Sequence, residues 1–156
     1  MSYDLYLFDL ADSDDAEAAA RRLDELNKSV FAGAGEGKHK ERLAQALMEA
    51  DRRYQKFEKD YQAIADFEGI SLDEAMKRYD WLELNGPPDA KLAQITIHAD
   101  FVVIEWYSGT SEAEMTRYLR LICRETGYAV FDPQSCKIMR FPNDEIASGS
   151  FPGNSE

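Results

Sequence analysis

Apolar and polar positions interleave from the start of the chain. Tyr3, Leu5, Leu7 and Asp9 alternate with Asp4, Tyr6, Phe8 and Leu10. That period of two predicts a strand over Tyr3–Leu10. Both sets are largely apolar, so the strand is expected to be central, with helices over at least one face. Asp12-Ser13-Asp14-Asp15 then offers a helix start whose carboxylates suit the helix dipole. Ala16, Ala19, Leu23, Leu26 and Val30 recur at spacings of three and four, predicting an amphipathic first helix with a small-residue seam.

Gly33-Ala34-Gly35-Glu36-Gly37 breaks this pattern, and the most regular stretch follows. Leu43, Leu47, Ala50, Tyr54, Phe57, Tyr61 and Ile64 step by four and three, predicting one helix over Lys38–Phe67. At 1.5 Å per residue such a helix is about 45 Å long, so its stripe needs a partner along its length. Either the first helix folds back antiparallel against it, or a second copy of the chain does. In the second case Leu47, Tyr54, Phe57 and Tyr61 form a homodimer seam.

Ser71-Leu72-Asp73-Glu74 is a capping box that predicts a third helix reaching Leu84, stopped by Asn85-Gly86-Pro87-Pro88. Gln94–His98 and Phe101–Tyr107 are β-branched and aromatic runs parted by Ala99-Asp100, the pattern of a hairpin. Ser111-Glu112-Ala113-Glu114 opens a fourth helix marked by Met115, Tyr118, Leu119, Ile122 and Cys123, with Gly127 as its cap. Strands are expected at Tyr128–Asp132, ended by Pro133, and at Lys137–Phe141. Without the helical excursion the order is β-α-β-β-α-β. This predicts an α+β, ferredoxin-like antiparallel sheet of about four strands, with a long helical insertion after the first strand. One domain over residues 1–141 and a loose polar tail over 142–156 complete the expectation.

Charge changes the picture more than composition does. The 156 residues, 44% hydrophobic and 31% charged, are those of a soluble globular chain long enough to bury a core. No apolar run approaches the roughly 20 residues of a membrane span. The acidic N-terminus lacks the basic start of a secretory signal, and Cys123 and Cys136 are expected as free thiols, so the cytoplasm is the expected compartment. The net charge of −12 is unevenly spread: residues 1–26 hold eight carboxylates against Arg21 and Arg22 alone. Such a pattern repels nucleic acid and anionic lipid and attracts a basic protein surface. Asp12, Asp14, Asp15, Glu17, Asp24 and Glu25 are the candidate partner-binding residues.

Motifs for chemistry are weak. Ala32–His39 looks like a phosphate loop but has Ala32 where the first glycine belongs, His39 where the hydroxyl belongs, and an acidic Glu36. Asp9, Asp12 and Asp14 lack the downstream α/β layout of phosphotransferases that use strand-end aspartates. His39 and His98 have no ligand partners at metal spacing, and the acidic run lacks the glycine and distal glutamate of a calcium loop. No carboxylate pair and no nucleophile elbow is distinguished. The expectation is a protein without metal, cofactor or turnover.

Thr126–Gln134 runs from helix cap through a strand into Asp132-Pro133-Gln134. With the opening Ser2-Tyr3-Asp4-Leu5-Tyr6-Leu7-Phe8, it resembles small bacterial immunity proteins of polymorphic or secreted toxin systems. That resemblance implies a cytoplasmic inhibitor that binds and occludes a basic toxin domain. The acidic strip would mimic phosphate and steer encounter. The alternatives are a homo-oligomeric structural or small-ligand-binding protein built on the heptad stripe, and an enzyme working through carboxylates.

Overall fold

The computed structural model describes residues 2–30, 38–107 and 109–141. In chain order these form β1 (Ser2–Phe8), α1 (Ala16–Lys28), α2 (Lys38–Ala50) and β2 (Gln55–Lys56). There follow α3 (Tyr61–Glu68), α4 (Leu72–Arg78), β3 (Leu82–Asn85), β4 (Gln94–Ile97) and β5 (Phe101–Tyr107). α5 (Glu112–Thr126), β6 (Ala129–Asp132) and β7 (Lys137–Met139) complete them. The strands make one antiparallel sheet in the order β2-β3-β4-β5-β1-β6-β7.

The alternation in β1 places it inside the sheet. It pairs with β5 from Ser2↔Tyr107 to Phe8↔Phe101, and with β6 through Tyr6↔Phe131 to Phe8↔Ala129. Leu5 and Leu7 enter a core with Leu43 and Leu47 of α2 and with Met115, Tyr118 and Ile122 of α5. Phe8 turns the other way, into a smaller core with Ala19, Leu23 and Leu26 of α1 and with Phe101 and Phe131. Helices therefore cover both faces of the sheet, α2 and α5 on one and α1 on part of the other. Both edge strands are short: two residues in β2 and three in β7.

This overturns the expected ferredoxin-like sheet of about four strands. Among the described residues there are seven strands, and no 30-residue helix follows the first. The helix expected over Lys38–Phe67 is cut where side chains outcompete the backbone ladder. Asp51 takes the amide of Arg53 on Oδ1 at 3.1 Å, which ends α2. Asp60 then caps a new helix by accepting from the Ala63 amide at 3.0 Å, and Gly69 closes it in the left-handed conformation. Between these signals the chain is extended, and the Phe57 amide donates to the Glu83 carbonyl.

The helix opened by Ser71 is shorter than expected as well, ending at Arg78, and Leu82–Asn85 is a strand. Its alternation buries Leu84 in the larger core and turns Glu83 and Asn85 to the opposite face. The hairpin of β4 and β5, the helix capped by Ser111 and closed by Gly127, and the strand ending at Asp132 match the expectation. The expected tail over 142–156 and the glycine-rich break at 33–37 lie outside the described residues.

One polar contact joins α2, the turn after it and α5. The Asp51 side chain is only 5% exposed. Both its oxygens are held by Arg53, Nε at 3.0 Å and Nη2 at 2.7 Å, and Tyr118 Oη donates to it at 2.5 Å. Arg53 reaches on to Glu114 at 3.2 Å. Tyr54 turns inward beside this contact, its ring edge-on to Tyr118 and its hydroxyl donating to the Ala93 carbonyl at 2.7 Å.

The bonds from Arg53 hold the Asp51 carboxyl well below the usual carboxylate range, against the opposing effect of its burial. A depressed carboxyl stabilises the fold above its unfolded pKa of about 3.9 and loses that contribution as pH falls. Asp51→Asn should cost roughly 2–4 kcal/mol at neutral pH, below the full penalty for breaking a buried pair because Arg53 is partly exposed and rehydrates. The gap between variant and wild type should narrow steadily below about pH 4. Urea titrations at pH 7 and pH 3 measure both effects, and equal midpoints at pH 7 would remove Asp51 from this role.

Candidate functional site

The six acidic residues singled out in the sequence occupy the loop before α1 and the exposed side of that helix. Asp15 is the N-cap, accepting from the Ala18 amide at 2.9 Å, and Asp14 accepts from the Ala11 amide at 2.8 Å. Asp12 is fully exposed, 3.9 Å from Arg140. The Arg140 guanidinium also donates to the Ala11 carbonyl at 2.9 Å and so ties this loop to the residue after β7. On α1 itself Glu17 pairs with Arg21 at 3.2 Å, Glu25 with Arg22 at 3.6 Å and Asp24 with Lys28 at 2.9 Å. These three acids meet three bases one turn away, so the helix carries no net charge. Pairs of this exposure, screened by water and salt, add little to stability. The acidity of the region is concentrated in the loop, where Asp14 and Asp15, two of its four carboxylates, already bind backbone amides.

The four residues of the expected seam are scattered. Leu47 and Tyr54 lie in the core of the single chain, 0% and 2% exposed. Phe57 is exposed beyond β2, and Tyr61 starts α3, half-buried and donating to the Tyr79 carbonyl at 3.2 Å.

A second acidic surface emerges from strand register. α1 covers its sheet face only around Phe8, Phe101 and Phe131, and the rest of that face is half-exposed. Across it run two rows set by pairing: Asp4–Glu105–Gln94, and Tyr6–Val103–Thr96–Glu83. Asp4 and Glu105 stand directly opposite each other on neighbouring strands, an arrangement that destabilises a sheet. Tyr6 Oη donates to Asp4 at 3.4 Å, and Tyr107 Oη donates to Glu105 at 2.5 Å.

The Asp4 carboxyl is pushed above its ordinary value, first by burial and then by the Glu105 charge. The Tyr107 phenol is raised to about 12, first by its bond to Glu105. Among the described residues no lysine or arginine pairs with Asp4 or Glu105. A concavity of about 350 Å³ opens beside Tyr107 and Gln94, lined also by Asn85, Pro87, Pro88 and Lys91.

At the other end of the same face an aromatic row crosses the sheet. Tyr79 and Trp81 rings lie 5.2 Å apart, Trp81 and His98 5.4 Å, and His98 stacks on Phe101 at 4.3 Å. Phe101 is in register with Phe8, which meets Phe131 edge-on. Lys59 lies 5.0 Å over the Trp81 ring and donates to the Trp81 carbonyl. Burial drives the His98 pKa down to about 4, so the ring is neutral at neutral pH. His39 faces Tyr128 Oη at 3.5 Å. Among the described residues no group of three His, Cys, Asp or Glu side chains can hold a metal ion, and no helix is long and apolar enough to cross a membrane.

The Asp4–Glu105 pair was not among the residues marked in the sequence, although each is a carboxylate inside an otherwise apolar, alternating strand. The Asp132-Pro133-Gln134 segment forms the turn from β6 to β7, where Asp132 accepts from the Gln134 amide at 3.0 Å and the Ser135 hydroxyl at 2.8 Å. No family model matches the chain, and no curated protein or solved structure matches it either.

Opposed carboxylates cost stability only while both are charged. Asp4→Asn should therefore stabilise the protein by roughly 0.2–1 kcal/mol at neutral pH and low salt. The gain should shrink at high salt and vanish in acid, where the raised Asp4 carboxyl takes up its proton. Denaturation midpoints at two ionic strengths test this, and a loss of stability in the variant would contradict it.

Proposed function

We propose that this chain is an acidic binding protein of the immunity type, a cytoplasmic inhibitor that docks on and occludes a basic protein domain such as a toxin. The observation that carries the reading is the Asp4–Glu105 pair, two carboxylates in register on an open sheet face with which no described lysine or arginine pairs. A partner bearing lysine or arginine relieves the repulsion the free protein tolerates, so binding energy comes from a contact that is unfavourable beforehand. The net charge of −12 adds a long-range field that speeds encounter with a basic surface and disfavours nucleic acid and anionic lipid. The resemblance at Ser2–Phe8 and Thr126–Gln134 favours the same reading. Two side chains often used in catalysis are tied up: His98 is stacked on Phe101, and burial pushes the Cys123 thiol up to about 12.

Self-association is the second reading, favoured by Phe67, Leu72 and Met76, which are 92%, 43% and 50% exposed on α3 and α4. It does not run through the open sheet face, where two acidic surfaces would repel.

Recovering the full-length tagged chain from its native cells and identifying what co-purifies tests the function. The expected partner is basic, is inhibited at equimolar ratio, and associates about tenfold or more slowly as salt is raised well above physiological strength. A partner of acidic charge, or an association rate indifferent to salt, would falsify the reading. Sedimentation of the free protein as a stable dimer would favour the second one.

A further inference from the structure

The open sheet face is chemically more specific than an acidic surface. Its carboxylates sit on adjacent strands in direct register, which places their Cβ atoms about 5 Å apart. Each already accepts one tyrosine hydroxyl, Asp4 from Tyr6 and Glu105 from Tyr107. An ionised carboxylate has about four acceptor sites, so each keeps acceptor capacity. Beside Glu105 the Tyr107 residue is 36% exposed, its hydroxyl held by that carboxylate and 3.4 Å from Gln94 Oε1. The concavity of about 350 Å³ that Tyr107 lines is mostly uncharged, Lys91 being the charged residue of its lining. A cation is therefore drawn to the Asp4–Glu105 side, while the concavity suits an uncharged side chain.

Building on the reading of the chain as a binder of basic protein, we propose that this face takes an arginine-bearing protein segment. One guanidinium lies between Asp4 and Glu105 and against the Tyr107 ring, and a neighbouring uncharged side chain fills the concavity beside Gln94. Charge complementarity selects a cation, and geometry selects arginine over lysine. A guanidinium is a planar fork with five donors, able to serve two carboxylates at once while its face stacks on an aromatic ring. An ammonium is a compact, strongly hydrated charge that gains less from the ring. A second copy of this chain is disfavoured as occupant by its own charge of −12.

The test uses the full-length protein, isotope-labelled for amide NMR, with an octapeptide of alternating arginine and leucine and its lysine counterpart as probes. Saturable shifts are expected at Asp4, Tyr6, Gln94, Glu105 and Tyr107, with the arginine peptide about fivefold tighter than the lysine one. Glu105→Gln should weaken the arginine peptide about tenfold while the rest of the spectrum stays native. Tyr107→Leu should erase the preference for arginine, and Asp12→Asn should change nothing.

Shifts confined to Asp12–Glu25, equal affinity for the two peptides, or an unaltered Glu105→Gln variant would each overturn the proposal. If a basic, salt-sensitive partner is recovered from cells and binds Glu105→Gln as it binds wild type, the docking face is wrong and the proposed function stands. If the peptides map to this face but no basic partner exists, the docking chemistry stands and the proposed function falls.

Discussion

Left without a counter-charge, a carboxylate as enclosed as that of Asp51 would be several kcal/mol out of place. Arg53 removes the difficulty locally. Two residues downstream, it closes on both oxygens, and closing that short loop requires the chain to leave the helix. The helix break and the ion pair are one event. Tyr118 then fastens the turn to α5, and Tyr54 fastens it to the residue preceding β4. The extended segment that follows supplies β2, and β3 returns beside it, so the sheet grows at this side because of what happens at Asp51.

The other consequence of the fold is its unequal covering. α2 and α5 bury one face of the sheet along its centre, whereas α1 seals only the region around Phe8, Phe101 and Phe131 on the other. On the sealed part aromatic rings touch one another. On the open part acids, amides and tyrosines stand in rows. The ionic pairs along α1 neutralise the helix, whereas no described lysine or arginine pairs with the opposed acids of β1 and β5. Paired and opposed charges are thus separated onto different elements of an acidic chain.

How far this was legible depends on the range of the forces involved. β1, the β4–β5 hairpin, α5 and β6 follow from local periodicity, with Ser111 and Gly127 marking the ends of the helix between them. The heptad from Leu43 to Ile64 misled because spacing alone does not show that Asp51 and Asp60 bond to nearby amides instead of letting a helix continue. Leu82–Asn85 alternates for four residues only, too few to compete with the helix that Ser71 begins. The acidity of residues 1–26 was visible as a count, yet the cancellation along α1 lies in spacings of three and four that join Glu17, Asp24 and Glu25 to Arg21, Lys28 and Arg22. Asp4 and Glu105 were visible as charges in apolar strands. Their confrontation depends on which strands pair and in what register, a long-range property that no short window contains.

The brevity of β2 and β7 decides how anything can approach this sheet. An incoming strand seeks a long row of unpaired amides and carbonyls, and at the two edge strands it meets two residues on one side and three on the other. Those two edges offer little template for extension by another chain. Side chains on the open face can be changed one at a time without disturbing the ladder beneath them, and such changes leave both edge strands as short as they are.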